Sequence, residues 1–128
     1  MSGPDALRRH ARVLRVREVE RLRSLRRLAA ANARHHRLAS LAARTEALAG
    51  GNGSEAQMND AAALTALLGF RGVCGALLAE MREKADEAHR QTVAARQDFA
   101  AADRRHVAAK DCLAGAERAW EVWQARSD

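Results

Sequence analysis

Tyrosine is absent from these 128 residues, Phe and Trp occur twice each, and aromatics make up only 3% of the chain. That leaves little material for the core of a compact globular domain of this length. Proline occurs once, at Pro4, and the only strong breaker cluster is Gly50-Gly51-Asn52-Gly53-Ser54, so a helix has few places where it must stop. Cys74 and Cys112 are too few and too far apart on one helix for a disulfide framework, and Cys74 reads as a small buried hydrophobe. The longest apolar run, around Ala61 to Leu68, falls far short of the roughly 20 residues a membrane span needs. A charged helix, not a signal peptide, opens the chain. These absences predict a cytoplasmic protein with no membrane span.

What is present is Ala, Leu, Arg and Glu at helical spacing, within 48% hydrophobic residues. From Leu64 a 3-4 pattern runs unbroken through Leu67, Arg71, Cys74, Leu78, Met81, Ala85, Ala88, Thr92, Ala95 and Phe99. It continues through Ala102, His106, Ala109, Leu113, Ala116 and Trp120 to Trp123. A seam that long requires one helix burying a narrow stripe against a partner helix. With the breaker cluster as the turn, the expected fold is all-α: a long antiparallel two-helix coiled-coil hairpin, its second helix longer than the first. The expected bounds are helix 5–49, loop 50–54 and helix 55–126, in a single elongated domain. Asp5 after Pro4 suits an N-cap, Gly50 a left-handed C-terminal stop, and Ser54 with Gln57 the capping-box spacing before the second helix.

Folding about Asn52 puts Leu48 near Ala56, Leu38 near Leu67, Leu28 near Leu77 and Leu7 near Phe99. The first helix then offers a weaker stripe of Leu7, Leu14, Leu25, Leu28, Leu38, Leu41 and Leu48, interrupted by Arg21 and His35. In that register the residues after about Ala100 have no intramolecular partner, and an apolar overhang ending in Trp120 and Trp123 awaits another protein or a second copy. From Ala85 onward Ala alternates with larger residues, which favours close axes and small burial contributions. A second stripe, Ala63, Ala66, Phe70, Val73 and Leu77, lies beside the seam, offering a partner surface or a broader intramolecular interface.

Charge is uneven. Residues 1–49 hold 12 Arg against Asp5, Glu18, Glu20 and Glu46, and the net charge is +6 with a pI near 10.8. Arg8, Arg9, Arg12, Arg15, Arg23, Arg26 and Arg27 could meet an acidic protein surface or phosphates, or form a solvated face. Nucleic acid is the obvious alternative partner, but no aromatic platform, zinc-finger spacing or helix-turn-helix accompanies the arginines. No Gly-rich phosphate loop, nucleophile elbow or confined acid pair is present. His35 and His36 are adjacent and point to different faces, His10 is isolated, and His89 and His106 lie too far apart to share a metal. The expectation is a protein that is not an enzyme and has no cofactor, catalytic residue or metal site.

The stretch from Leu7-Arg8 to Ala33, especially "ARVLRVREVERLRSLRRLAAANA", resembles the N-terminal helix of the FliJ family, small basic proteins of the flagellar type III export apparatus. Two antiparallel helices, a longer second helix and an early apolar cluster with Phe70 extend the likeness over nearly the whole chain. It departs from the family pattern in lacking Tyr on the late first helix and in having Cys74 where Leu is expected. The resemblance implies a cytoplasmic coupling stalk, peripheral to the export apparatus at the inner membrane and serving flagellum biogenesis and motility. Its partners would be the export ATPase hexamer and the cytoplasmic domain of the export gate. It further implies that Leu7, Arg8, Arg9, Arg12, Leu113, Trp120 and Trp123 meet the ATPase ring, with Arg8, Arg9 and Arg12 beside Phe99. Leu38, Leu41, Phe70, Val73 and Leu77 would meet the gate. The equivalent stalk of a virulence type III system, a homo-oligomeric structural coiled coil and a basic nucleic-acid adaptor are the competing expectations.

Overall fold

A computed structural model describes residues 3–50 and 61–127. The fold is an all-α hairpin of two packed helices, α1 (Gly3–Gly50, 48 residues) and the longer α2 (Ala61–Ser127, 67 residues). α1 begins two residues earlier than expected, so Asp5 is an acid of the first turn and not its cap. Pro4 is tolerated there because its missing N–H would have had no helical acceptor. Gly50 is the last residue of α1 and has no positive φ, so the expected left-handed stop is not made at that position. The expected loop and the capping box of Ser54 and Gln57 lie outside the described residues.

The chain packs as two units, each containing a segment of both helices: a terminal unit, Met1–Ala29 with Ala94–Asp128, and a middle unit, Ala30–Val93. In the terminal unit the helices run antiparallel, because Gly3 meets Trp120, Glu18 meets His106 and Arg21 meets Asp103. In the middle unit the same sense follows from His35 beside Ala85 and Glu46 beside Arg82.

This register differs from folding about Asn52. Phe99 lies under Arg21, not beside Leu7 or Arg8, Arg9 and Arg12. The C-terminal overhang is absent: the start of α1 covers Trp120. The physical reason is what each register buries. The observed one half-buries Leu113 and Trp120 in the terminal unit, while in the middle unit Leu64 and Leu68 stay exposed. A Trp hidden from water outweighs a Leu on area alone.

The α2 seam is real from Leu67 to Trp120, since every position in it is buried or half-buried; Leu64 and Trp123 fall outside, at 46% and 41% exposure. The facing stripe on α1 is different from the Leu series read from sequence. In the terminal unit it runs Gly3, Leu7, His10, Leu14, Arg17, Arg21, Ser24 and Leu28. In the middle unit it runs Ala31, His35, Leu38, Ala42, Thr45 and Ala49. Leu25, Leu41 and Leu48 are exposed. This stripe keeps strict 3-4 spacing but fills it with small and polar residues, so the interface is narrow. Its best-buried members are Ala88, Thr92 and Ala102. Thr92 satisfies its hydroxyl inside α2 by donating to the Ala88 carbonyl at 2.9 Å, which removes the desolvation cost of burying it.

Candidate partner-binding surfaces

In the terminal unit several seam positions are polar, and three of them stand beside charged groups. Arg21 Nε donates to Asp103 Oδ1 at 2.7 Å while its guanidinium carbon stands 5.4 Å from the centre of the Phe99 ring. Arg17 pairs along α1 with Glu20 at 3.0 Å. His106, on the seam, places Nε2 3.7 Å from Glu18 Oε1, too long for a hydrogen bond. These contacts hold the long side chains along the groove between the helices and leave the outer faces to other charges.

The charges left over are mainly basic. Residues 1–29 and 94–128 carry 15 Arg and Lys against 9 Asp and Glu, while residues 30–93 carry 7 of each. The whole net charge therefore belongs to the terminal unit. Arg8, Arg9 and Arg12 are exposed there, and among the described residues only Arg8 of the three forms an ion pair, with Asp5 at 3.6 Å. Arg15, Val16, Val19, Glu20 and Arg23 line an open depression of about 370 Å³. Those valines share one face of α1 with Arg15 and Arg23, a combination missed from sequence because it lies off the seam.

Leu7, Leu113 and Trp120 are half-buried in the seam of the terminal unit, so they serve the helix pair itself. Trp120 is packed especially closely: a Cβ at Gly3 would lie 2.5 Å from its Cε3. Trp123 stacks on it, with ring centroids 5.0 Å apart and planes 15° from parallel. Trp123 is thus the aromatic that remains available, held by a neighbour that is fixed.

Of the middle-unit candidates, Leu38 is half-buried on the α1 seam, whereas Leu41, Phe70, Val73 and Leu77 are exposed at 42–69%. Leu41 sits in an open depression with His36, Arg37, Ser40 and Arg44. Between Ala61 and Ala79 the sole charge is Arg71. An 18-residue window of α2 reaches a mean hydropathy of 1.7 with only 11% of it buried. By length and composition this matches a membrane-crossing helix, which counting uninterrupted runs conceals because Arg71 divides the segment. Leu48, Leu64 and Leu68 are exposed as well and were not among the expected sites.

The helix pairing also brings His89 to His35, with ring centroids 5.3 Å apart, while His36 stands 6.0 Å from His35. Among the described residues no group of three His, Cys, Asp or Glu converges on a metal-sized site. Cys74 is buried and Cys112 exposed, both as free thiols. No protein-family model matches this chain, and neither a curated protein nor a solved structure shows significant similarity to it.

Proposed function

We propose that this protein is a non-enzymatic stalk of a type III protein export apparatus, of the flagellar kind, which binds the export ATPase hexamer through its terminal unit and the export gate through its middle unit. The observation that carries the proposal is the terminal unit itself. There the two ends of the chain coil together, bear the entire net positive charge, and present an aromatic pair. A paired coil of chain ends is what the resemblance to the FliJ family implies for insertion into a ring, in the manner of the rotary ATP synthase gamma subunit.

The pairing redistributes the roles. Leu7, Leu113 and Trp120 give the terminal coil its form; Arg8, Arg9, Arg12 and Trp123 are the groups left to contact the ring. Guanidinium groups favour an acidic collar, where they add orientation and association rate more than raw affinity. In the middle unit Phe70, Val73 and Leu77 form the gate-facing stripe, with Leu41 beside a basic depression on α1. Leu38 supports the helix pair there.

Binding to the purified cognate export ATPase tests the proposal. Full-length protein is expected to bind the hexamer. Arg8→Glu, Arg9→Glu, Arg12→Glu and Trp123→Ala combined in one chain should abolish binding while leaving helicity intact. Wild-type-like binding by that variant would remove the terminal unit from the interaction.

A further inference from the structure

α1 carries a second 3-4 stripe, on the side turned away from α2. In the terminal unit it runs Arg9, Arg12, Val16, Val19, Arg23 and Arg26, every member exposed, with Val16 at 55% and Val19 at 47%. No carboxylate interrupts it, and none of its arginines forms an ion pair among the described residues. A 3-4 stripe on a helix is a seam for another helix. This one has an apolar centre between two basic ends.

The middle unit bears the complement. On the outer side of α2, Val73, Ala76, Glu80 and Glu83 follow one another at three-, four- and three-residue steps, all exposed, with Val73 at 69%. Glu83 forms no ion pair among the described residues, and Glu80 holds Lys84 at 3.1 Å, an exposed pair of the kind that contributes little and exchanges readily. Read in opposite directions, the two stripes match position for position: Arg9 with Glu83, Arg12 with Glu80, Val16 with Ala76 and Val19 with Val73. Their edges agree as well, since Arg8 then falls toward Asp86 and Val13 toward Leu77. A parallel alignment would put Arg23 and Arg26 on the two glutamates but set Arg15 against Leu77 and Leu22 against Lys84.

We propose that the protein self-associates, the outer stripe of α1 in the terminal unit of one copy packing antiparallel on residues 73–83 of α2 in the middle unit of the next. The two surfaces differ, so the contact is heterologous and copies add in an open series with one unmatched stripe at each end. A few positions on each side make a small interface, which forms and breaks with concentration and salt. The contact does not rest on the export role. Arg9, Arg12 and Val73 engaged in it are withheld from the ring and the gate, so the two uses exclude each other in one molecule.

Sedimentation velocity of the full-length protein over a range of concentrations tests it. At about 50 mM salt the weight-average sedimentation coefficient should rise with concentration, and at about 0.5 M salt it should fall back toward the monomer value. Arg9→Glu with Arg12→Glu, and separately Glu80→Arg with Glu83→Arg, should each stay monomeric at low salt because each sets like charges against each other, with circular dichroism showing the helices retained. An equimolar mixture of these two variants restores opposite charges at every junction and should associate as the parent does. A parent that stays monomeric at low salt, a variant that associates alone as the parent does, or a mixture that stays monomeric overturns the proposal.

Discussion

Arg21 of α1 donates its Nε–H to Asp103 of α2 at 2.7 Å while its guanidinium lies over the Phe99 ring, so one seam arginine ties both its charge and its flat face to the opposite helix. Both partners of the ion pair are more than a third exposed, which limits its strength through solvent screening. A double-mutant cycle of Arg21→Ala and Asp103→Ala should give a coupling of about 0.5–1 kcal/mol that shrinks as salt is raised. A repulsive coupling at low salt would contradict the pairing of these two side chains.

The small-residue interface makes a prediction about overpacking. Ala88 is 1% exposed and faces α1, so Ala88→Leu should destabilise the fold by about 1–3 kcal/mol in chemical unfolding. Ala94→Leu, at an exposed position of the same helix, should stay within about 0.5 kcal/mol of the parent. Equal effects at the two positions would contradict the closeness of the helices.

His106 offers the opposite test. It occupies the seam with only a 3.7 Å approach to Glu18, so His106→Leu should gain more from apolar burial than it loses in attraction. Stability is expected to rise by about 0.5–1.5 kcal/mol, read as a higher denaturant midpoint with an unchanged slope.

Because Gly3 lies against Trp120 and Trp123 against Trp120, the two tryptophans should separate under substitution. Trp120→Ala is expected to cost about 1–3 kcal/mol, and Trp123→Ala, which gives up mainly the ring stacking, about 1 kcal/mol or less. Gly3→Leu should move the indole emission of Trp120 to longer wavelength as the ring is pushed toward water, an effect lost in a Trp120→Phe background. An unchanged spectrum would show that the chain ends are not paired as described.

The seam of α2 is legible from sequence because Leu, Ala, Phe and Trp keep one phase against charged neighbours, and burial from Leu67 to Trp120 follows it. Its partner stripe is not. On α1 the seam positions hold Gly3, His10, Arg17, Arg21, Ser24 and His35, while Leu25, Leu41 and Leu48, the more hydrophobic choices, point to water. Hydrophobicity is a poor guide where an interface is narrow and its edges are closed by arginine stems. Register escapes the sequence for a related reason. It is decided by a competition between hiding Trp120 in one unit and Leu64 with Leu68 in the other, and a short-loop hairpin weighs only chain connectivity. The exposed stripe of Phe70, Val73 and Leu77 is visible in the sequence because it sits one residue before the seam. Leu48 and Leu64 escape notice because they are assigned to the helix pairing, and Leu68 because it falls on neither stripe of α2.

ATP hydrolysis by the purified cognate export ATPase, measured with and without the full-length protein, bears most directly on the proposed coupling role. The account predicts that the protein stimulates turnover and promotes assembly of the hexamer, and that Trp123→Ala combined with charge reversal at Arg8, Arg9 and Arg12 removes both effects. An ATPase whose rate and assembly are unchanged by the wild-type chain would contradict it.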